Sequence, residues 1–273
     1  MTKFVVGVDG SAGSRQALTW ALGEAERRGA TVTAVAAWAF PPLAAVTPIP
    51  SPTLDEFRAM ADTALDDVIA SVGPVNVPLT RRVVQGKPAA VLAAEGAGAD
   101  LLVVGRRGLG GFQRLALGSV GRGTIRRSHV PVVVVPDTSV TGSRIVVGIQ
   151  GRGDERAVIV AAAEESRACG VPCVAVHAVE LGLAAVGLGG GEASEALLDA
   201  GRVVASRAAA ALTERGVEAS GTSGIGSAAG VLLDAARTAA LLVVGRPAHG
   251  ILGSVTDACA AHAPCPVLVV PSD

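Results

Sequence analysis

The chain contains no tyrosine, and aromatic residues make up only 2% of it. Proteins that hold single-stranded nucleic acid stack its bases on aromatic side chains, so that function class finds no platform here. Charged residues are scarce as well, 17% of the total, and the formal net charge is −1. Such a balance gives no general attraction to nucleic acid or anionic lipid. Long apolar runs are also missing. A membrane span takes about 18 or more consecutive apolar residues, whereas the valine-rich runs Val132–Val135 and Val267–Val270 are short and bracketed by proline. The opening MTKFVVGVDGS offers no signal-peptide core ahead of Asp9. The expectation is a cytoplasmic protein with no membrane or nucleic-acid partner. The four histidines are scattered without ligand spacing, so no metal held by side chains is expected. The four cysteines, Cys169, Cys173, Cys259 and Cys265, match neither a zinc ribbon nor a CxxC pair. They read as small buried residues in a reducing compartment.

What the chain has in quantity is aliphatic residues: half of it is hydrophobic, with a mean hydropathy of +0.50. Without membrane spans, that excess implies strands buried on both faces, as in a parallel sheet covered by helices. At 273 residues, two domains of ordinary size are expected. An internal repeat supports this. LLVVGR stands at Leu101–Arg106 and returns at Leu241–Arg246; FVVGVDG at Phe4–Gly10 returns as IVVGIQG at Ile145–Gly151. PVVVVP at Pro131–Pro136 returns as PVLVVP at Pro266–Pro271, and Gly118–Val120 as Gly253–Val255. The offset falls from 140 to 135 residues between LLVVGR and the following Gly-Ser, which places a deletion of five residues in one loop of the second half. We expect domains at 1–138 and 143–273, joined through the polar stretch Asp137–Ser143.

Within the first half, strand and helix patterns alternate. Strands are expected at Phe4–Val8, Thr31–Trp38, Leu79–Val84, Leu101–Val104 and Val132–Val135. Helices are expected from about Ser11 to Arg28, ended by Gly29, and from a capping box at Thr53 and Glu56. The second of these carries an apolar stripe of Leu54, Phe57, Ala61, Leu65, Val68 and Val72. Shorter helices follow near Pro88 and over Ser119–Arg127. The fold class is therefore α/β: two tandem doubly wound parallel sheets of five strands each. Ligands of such sheets lie outside the carboxyl ends of the strands, at the switch in strand order. The first and fourth strands end there in VDGS and VGRRG.

The loop after the fourth strand reads GRRGLGGFQRLALGSVGRG. Glycines let backbone N–H groups approach a phosphate, successive N–H groups form an anion nest, and Gly118-Ser119 opens a helix whose N-terminus favours anions. Arg106, Arg107 and Arg114 add positive charge suited to phosphate. No GxxxxGK[ST] occurs, and no dinucleotide fingerprint follows the first strand. Asp9 or Ser11 can also serve simply as helix caps, and Arg122, Arg126 and Arg127 read as complements to a helix C-terminus.

The pattern G-2x-G-9x-G-[S/T], together with VDGS, resembles the universal stress protein family over essentially the whole chain. The resemblance implies an adenine nucleotide α-hydrolase-like (Rossmann-like) fold and ATP binding, with Mg2+ entering through the phosphates. It assigns Asp9 to the strand-one acid that contacts nucleotide and Val8 to the adenine or ribose. Val104 and Gly105 would line the adenosine site, and Ala37 would offer backbone groups to the adenine edge. Arg107, Gly108, Gly118, Ser119 and Val120 would hold phosphate. Gly121 stands where many binders carry a hydroxyl, which implies one missing contact. In the second half Gln150 replaces the acid, Pro247 removes a donor, Ala248 replaces a glycine and the loop is shortened. Weak or no ATP binding is expected there, with Gly253, Ser254 and Thr256 left to hold a small anion at most. The reading favoured is an ATP-binding stress regulator, in which occupancy orders the Gly105–Ser119 loop and alters the surface met by an unknown protein partner. A slow ATPase and a scaffold module are the alternatives. The apolar fifth strands are expected to join the two halves as a pseudo-dimer, and a homodimer of the whole chain is left open.

Overall fold

The computed structural model describes residues 2–39, 53–109, 117–138, 142–153, 155–180, 192–247 and 252–272. The Pro-rich stretch Phe40–Pro52, Arg114, Ala248 and the Gly-rich segment Leu181–Gly191 lie outside them. The chain divides between Asp137 and Thr138 into two compact units.

The first unit runs β1 (Lys3–Val8), α1 (Ala12–Arg28), β2 (Thr31–Trp38), α2 (Leu54–Ser71), β3 (Leu79–Gln85), α3 (Pro88–Gly96), β4 (Leu101–Gly105), α4 (Ser119–Arg127) and β5 (Val132–Val135). Its strands lie in the order β3-β2-β1-β4-β5, all parallel. The valine-rich β4 and β5 are almost wholly buried, as expected of a sheet covered on both faces. Ser11 starts α1 by accepting from the Ser14 amide, and Gly29 ends it in the left-handed conformation at φ 60°. The helix lays Ala17, Leu18, Ala21 and Ala25 on the sheet with no exposed surface. The capping box of Thr53 and Glu56 opens α2. The apolar stripe expected along α2 is buried only at Leu65 and Val68, while Leu54 is 53% exposed. An 18-residue helix is about 27 Å long, and its two buried residues both lie in its second half. On the outermost strand β3, Arg81 pairs with Asp62 and Asp66, and Arg82 with Glu95. Charges on an edge strand disfavour pairing with foreign strands.

The second unit repeats the plan. It runs β6 (Ile145–Ile149), α5 (Arg156–Cys169), β7 (Cys173–Val179), α6 (Glu192–Thr213), β8 (Ala219–Ile225), α7 (Ala228–Ala235), a 3₁₀ turn (Ala236–Thr238), β9 (Leu241–Arg246), α8 (Ser254–His262) and β10 (Val267–Pro271). The parallel order is β8-β7-β6-β9-β10. Cys173, Cys259 and Cys265 are buried, Cys169 is half-buried, and all four are free thiols. Burial, with the neighbouring Cys265, pushes the Cys259 thiol up to about 12. Among the described residues, no helix is long and apolar enough to cross a membrane.

Candidate functional site

In the first unit the chain leaves β1 toward β2 and β3, then returns to β4 and β5 on the other side. The order reverses between β1 and β4, which are registered Phe4 to Leu101 and Val6 to Val103. Beyond their carboxyl ends lies a cavity of about 270 Å³, near the small end of ligand pockets, roughly 300–1,000 Å³. Val8, Ala37 and Val104 line it from the three central strands. Asp9, Gly105, Arg107 and Gly108 line it from the loops after β1 and β4, and Gly118, Ser119 and Val120 from the start of α4. All ten residues singled out in the sequence thus surround one space. Sequence reasoning missed Gly7, Ser14, Val35, Pro88 and Leu92, which line the same cavity. Val35 had a signal, since it stands two residues from Ala37 on one strand and shares its face. Pro88 and Leu92 arrive on α3, and only the packing of that helix brings them in.

The loop after β4 is fixed at its stem. The Arg106 amide donates to Val135 O at 2.8 Å and the Gly118 amide to Arg106 O at 2.9 Å. The residues between them, 110–116, lie outside the described set. Gly105 lies backbone to backbone against α1: a Cβ there would stand 2.5 Å from the carbonyl carbon and oxygen of Gly13. Gly13 in turn has no room for a Cβ beside Arg107 O, to which Ser11 Oγ donates at 3.4 Å. Asp9 does not cap α1. Its Oδ1 accepts from the Ser11 amide at 3.1 Å and its Oδ2 from the Leu109 amide at 3.0 Å. One carboxylate therefore ties the β1 turn to the β4 loop. Gly108 lies so close to Asp9 Oδ2 that any side chain there would collide with it.

Gly118 is different. Its φ is −66°, open to any residue, and among the described residues a Cβ would meet nothing nearer than Arg106 O at 3.4 Å. The described surroundings do not require glycine here, although the position lines the cavity. Among the described residues no side chain caps α4, so its first turn presents backbone N–H groups and the positive end of its dipole to the same space. Arg107 adds a guanidinium, whose Nη1 lies 3.5 Å from Asp137 Oδ2. Arg127 donates from Nη1 to Gly123 O at 3.1 Å and serves the C-terminal end of α4, as expected.

The corresponding turns of the second unit are furnished differently. Gln150 stands in place of Asp9. The next three amides, of Gly151, Arg152 and Gly153, all donate to the Glu155 carboxylate, the last two at 3.0 and 3.1 Å. Pro247 stands in place of Arg107. Thr256, which matches Gly121, donates from Oγ1 to Gly245 O at 2.9 Å. Gly121 has no side chain to make the corresponding bond in the first unit.

The model of the universal stress protein family matches residues 1–136 and again 142–271. Over 132 residues the chain is 36% identical to one universal stress protein of Mycobacterium tuberculosis, covering 48% of this chain and 44% of that protein. It is 35% identical over 136 residues to another, covering 49% and 45%. The chain thus spans about half the length of these curated relatives. The crystal structure of a universal stress protein from Archaeoglobus fulgidus shares the fold at a TM-score of 0.68 and 18% identity, with 98% of each chain covered. With two units of one strand order, a repeated sequence and a family match to each half, the chain belongs to the universal stress protein family.

Proposed function

We propose that the first unit binds ATP and that occupancy is a signal read by a protein partner. The observation that carries this reading is the mixed lining of the cavity. The lining combines aliphatic side chains, Val8, Val35, Ala37, Leu92 and Val104, with Gly108, Gly118 and the first turn of α4, which no side chain among the described residues caps. A flat base suits the first and a chain of phosphates the second. The glycine at 118, which its described surroundings do not demand, leaves room for a ligand to approach the backbone. Asp9 gives each of its oxygens to an amide, so Mg2+ would be held mainly by the phosphates and water, as is usual for this ion. Ser14 Oγ donates to Ser11 O at 2.9 Å, so this lining hydroxyl is engaged within the turn that starts α1.

The test is mass spectrometry of small molecules released from freshly purified protein, combined with unfolding in the presence of Mg-ATP. Unhydrolysed ATP in the released material, and stabilisation of about 2.7 kcal/mol at 100 times the Kd, are the expected results. Multiple turnovers per second, abolished by Asp9→Ala, would make the protein an ATPase instead. No released nucleotide and no shift with ATP would leave a scaffold module.

A further inference from the structure

We propose that Asp137 determines the selectivity of the first unit by competing with ligand phosphate for Arg107. The proposal rests on the nucleotide-binding reading and adds to it a residue from outside the cavity lining. The last registered pair of β4 and β5 is Gly105 with Val135. Arg107 and Asp137 each lie two residues beyond it, on adjacent chains whose ends are clamped by the bond from the Arg106 amide to Val135 O. The register therefore sets the two side chains next to each other. Arg107 lines the cavity and its guanidinium reaches Asp137 Oδ2 at 3.5 Å.

The pair is 49% exposed on the arginine and 37% on the aspartate. In such surroundings an ion pair is weak and its partners exchange readily. A guanidinium offers five N–H donors in a planar fork, and a phosphate takes two of them in parallel. A phosphate arriving at Arg107 meets a donor that is partly engaged and a carboxylate that repels it. The opposition acts on ligands that bring a phosphate to Arg107 and vanishes for a nucleoside, which has none. The second unit supplies the contrast. Its register ends at Arg246 with Pro271, and Pro247 and Ser272 occupy the places of Arg107 and Asp137. The ion pair is present where the glycine-rich cavity is present, and neither partner is kept where the loop is shortened.

Affinities of adenosine, AMP, ADP and Mg-ATP for the full chain, measured by calorimetry at low salt, decide the matter. Asp137→Asn is expected to tighten Mg-ATP by about two- to fivefold, the span of an exposed ion pair, and to leave adenosine unchanged. In an Arg107→Gln background the same change is expected to have a smaller effect, because only the repulsion between carboxylate and phosphate is then relieved. Equal tightening of all four ligands, an unchanged Mg-ATP affinity, or a full effect without Arg107 would each overturn the proposal while leaving nucleotide binding intact. A wild-type chain that binds none of the four would overturn the nucleotide reading itself, and this proposal with it.

Discussion

Replacing Gly105 with alanine tests the backbone-to-backbone contact on which the candidate site is built. The added Cβ would lie 2.5 Å from Gly13 C and O and 3.0 Å from Ser14 N, where about 3.4 Å or more is ordinary. The start of α1 must retreat by roughly 1 Å. It cannot do so alone, because Ala17, Leu18, Ala21 and Ala25 of the same helix have no free space against the sheet. Overpacking of this kind costs about 1–3 kcal/mol. The composition supplies the assay. The chain has two tryptophans and no tyrosine, and Trp20 and Trp38 both belong to the first unit. Their fluorescence during urea unfolding follows that unit alone, which removes the ambiguity that two units otherwise bring to a single transition. With slopes of about 1–3 kcal/mol per molar urea, a loss near 2 kcal/mol moves the midpoint by roughly 1 M. Gly118→Ala is the control, since among the described residues its Cβ meets nothing nearer than 3.4 Å. Without ligand it is expected to cost less than about 1 kcal/mol, an N-cap effect, and to weaken Mg-ATP. A midpoint for Gly105→Ala equal to wild type, or an equal loss in Gly118→Ala, would refute the reasoning.

Asp9→Ala is expected to free the Leu109 amide, raising its hydrogen-exchange rate, and to lower the stability of the first unit by about 1–2 kcal/mol; protection of Leu109 that persists would show the loop is held by something else. Gly121→Thr is expected to copy the Thr256 bond by donating to Gly105 O, with helix propensity adding to the gain, and so to raise the tryptophan-reported stability by about 1 kcal/mol. A lowered midpoint would mean that Leu117 Cδ1, 3.3 Å from the new Cβ, does not yield. Cys259 is kept neutral by burial, its pKa raised from 9.0 to about 12, whereas in the unfolded chain it ionises near its ordinary value. Its contribution is therefore complete below about pH 9 and is lost progressively as the pH rises toward 12. Circular dichroism of urea unfolding between pH 8 and 10.5 should show a decline that Cys259→Ala flattens, and a parallel decline in the variant would contradict the assignment.

Several elements were legible from local chemistry alone. The bounds of β2, β5 and α4 match those expected from runs of β-branched residues set between glycine and proline, and from a Gly-Ser ahead of a helix. The α2 stripe was only half legible. Periodicity identifies the face of a helix that turns inward, but the length over which that face meets the sheet depends on how far the strands beneath extend. Asp9 was legible as important and ambiguous as to role. A cap and a ligand contact are both local hypotheses, whereas its partner at Leu109 lies 100 residues away and comes near only when β1 and β4 pair. Ser14 and Leu92 escaped for the same reason, because each enters the cavity on a helix that the sheet places there.

The carboxylate of Glu155, grasped by the amides of the turn that follows β6, works as a tethered counter-ion. Four residues of chain or fewer hold it beside its donors, at a local concentration that dissolved anions do not approach. A dissolved anion therefore has to displace Glu155 before it can reach those amides. On the proposed reading the first half takes its anion from solution, whereas the second writes one into its own sequence.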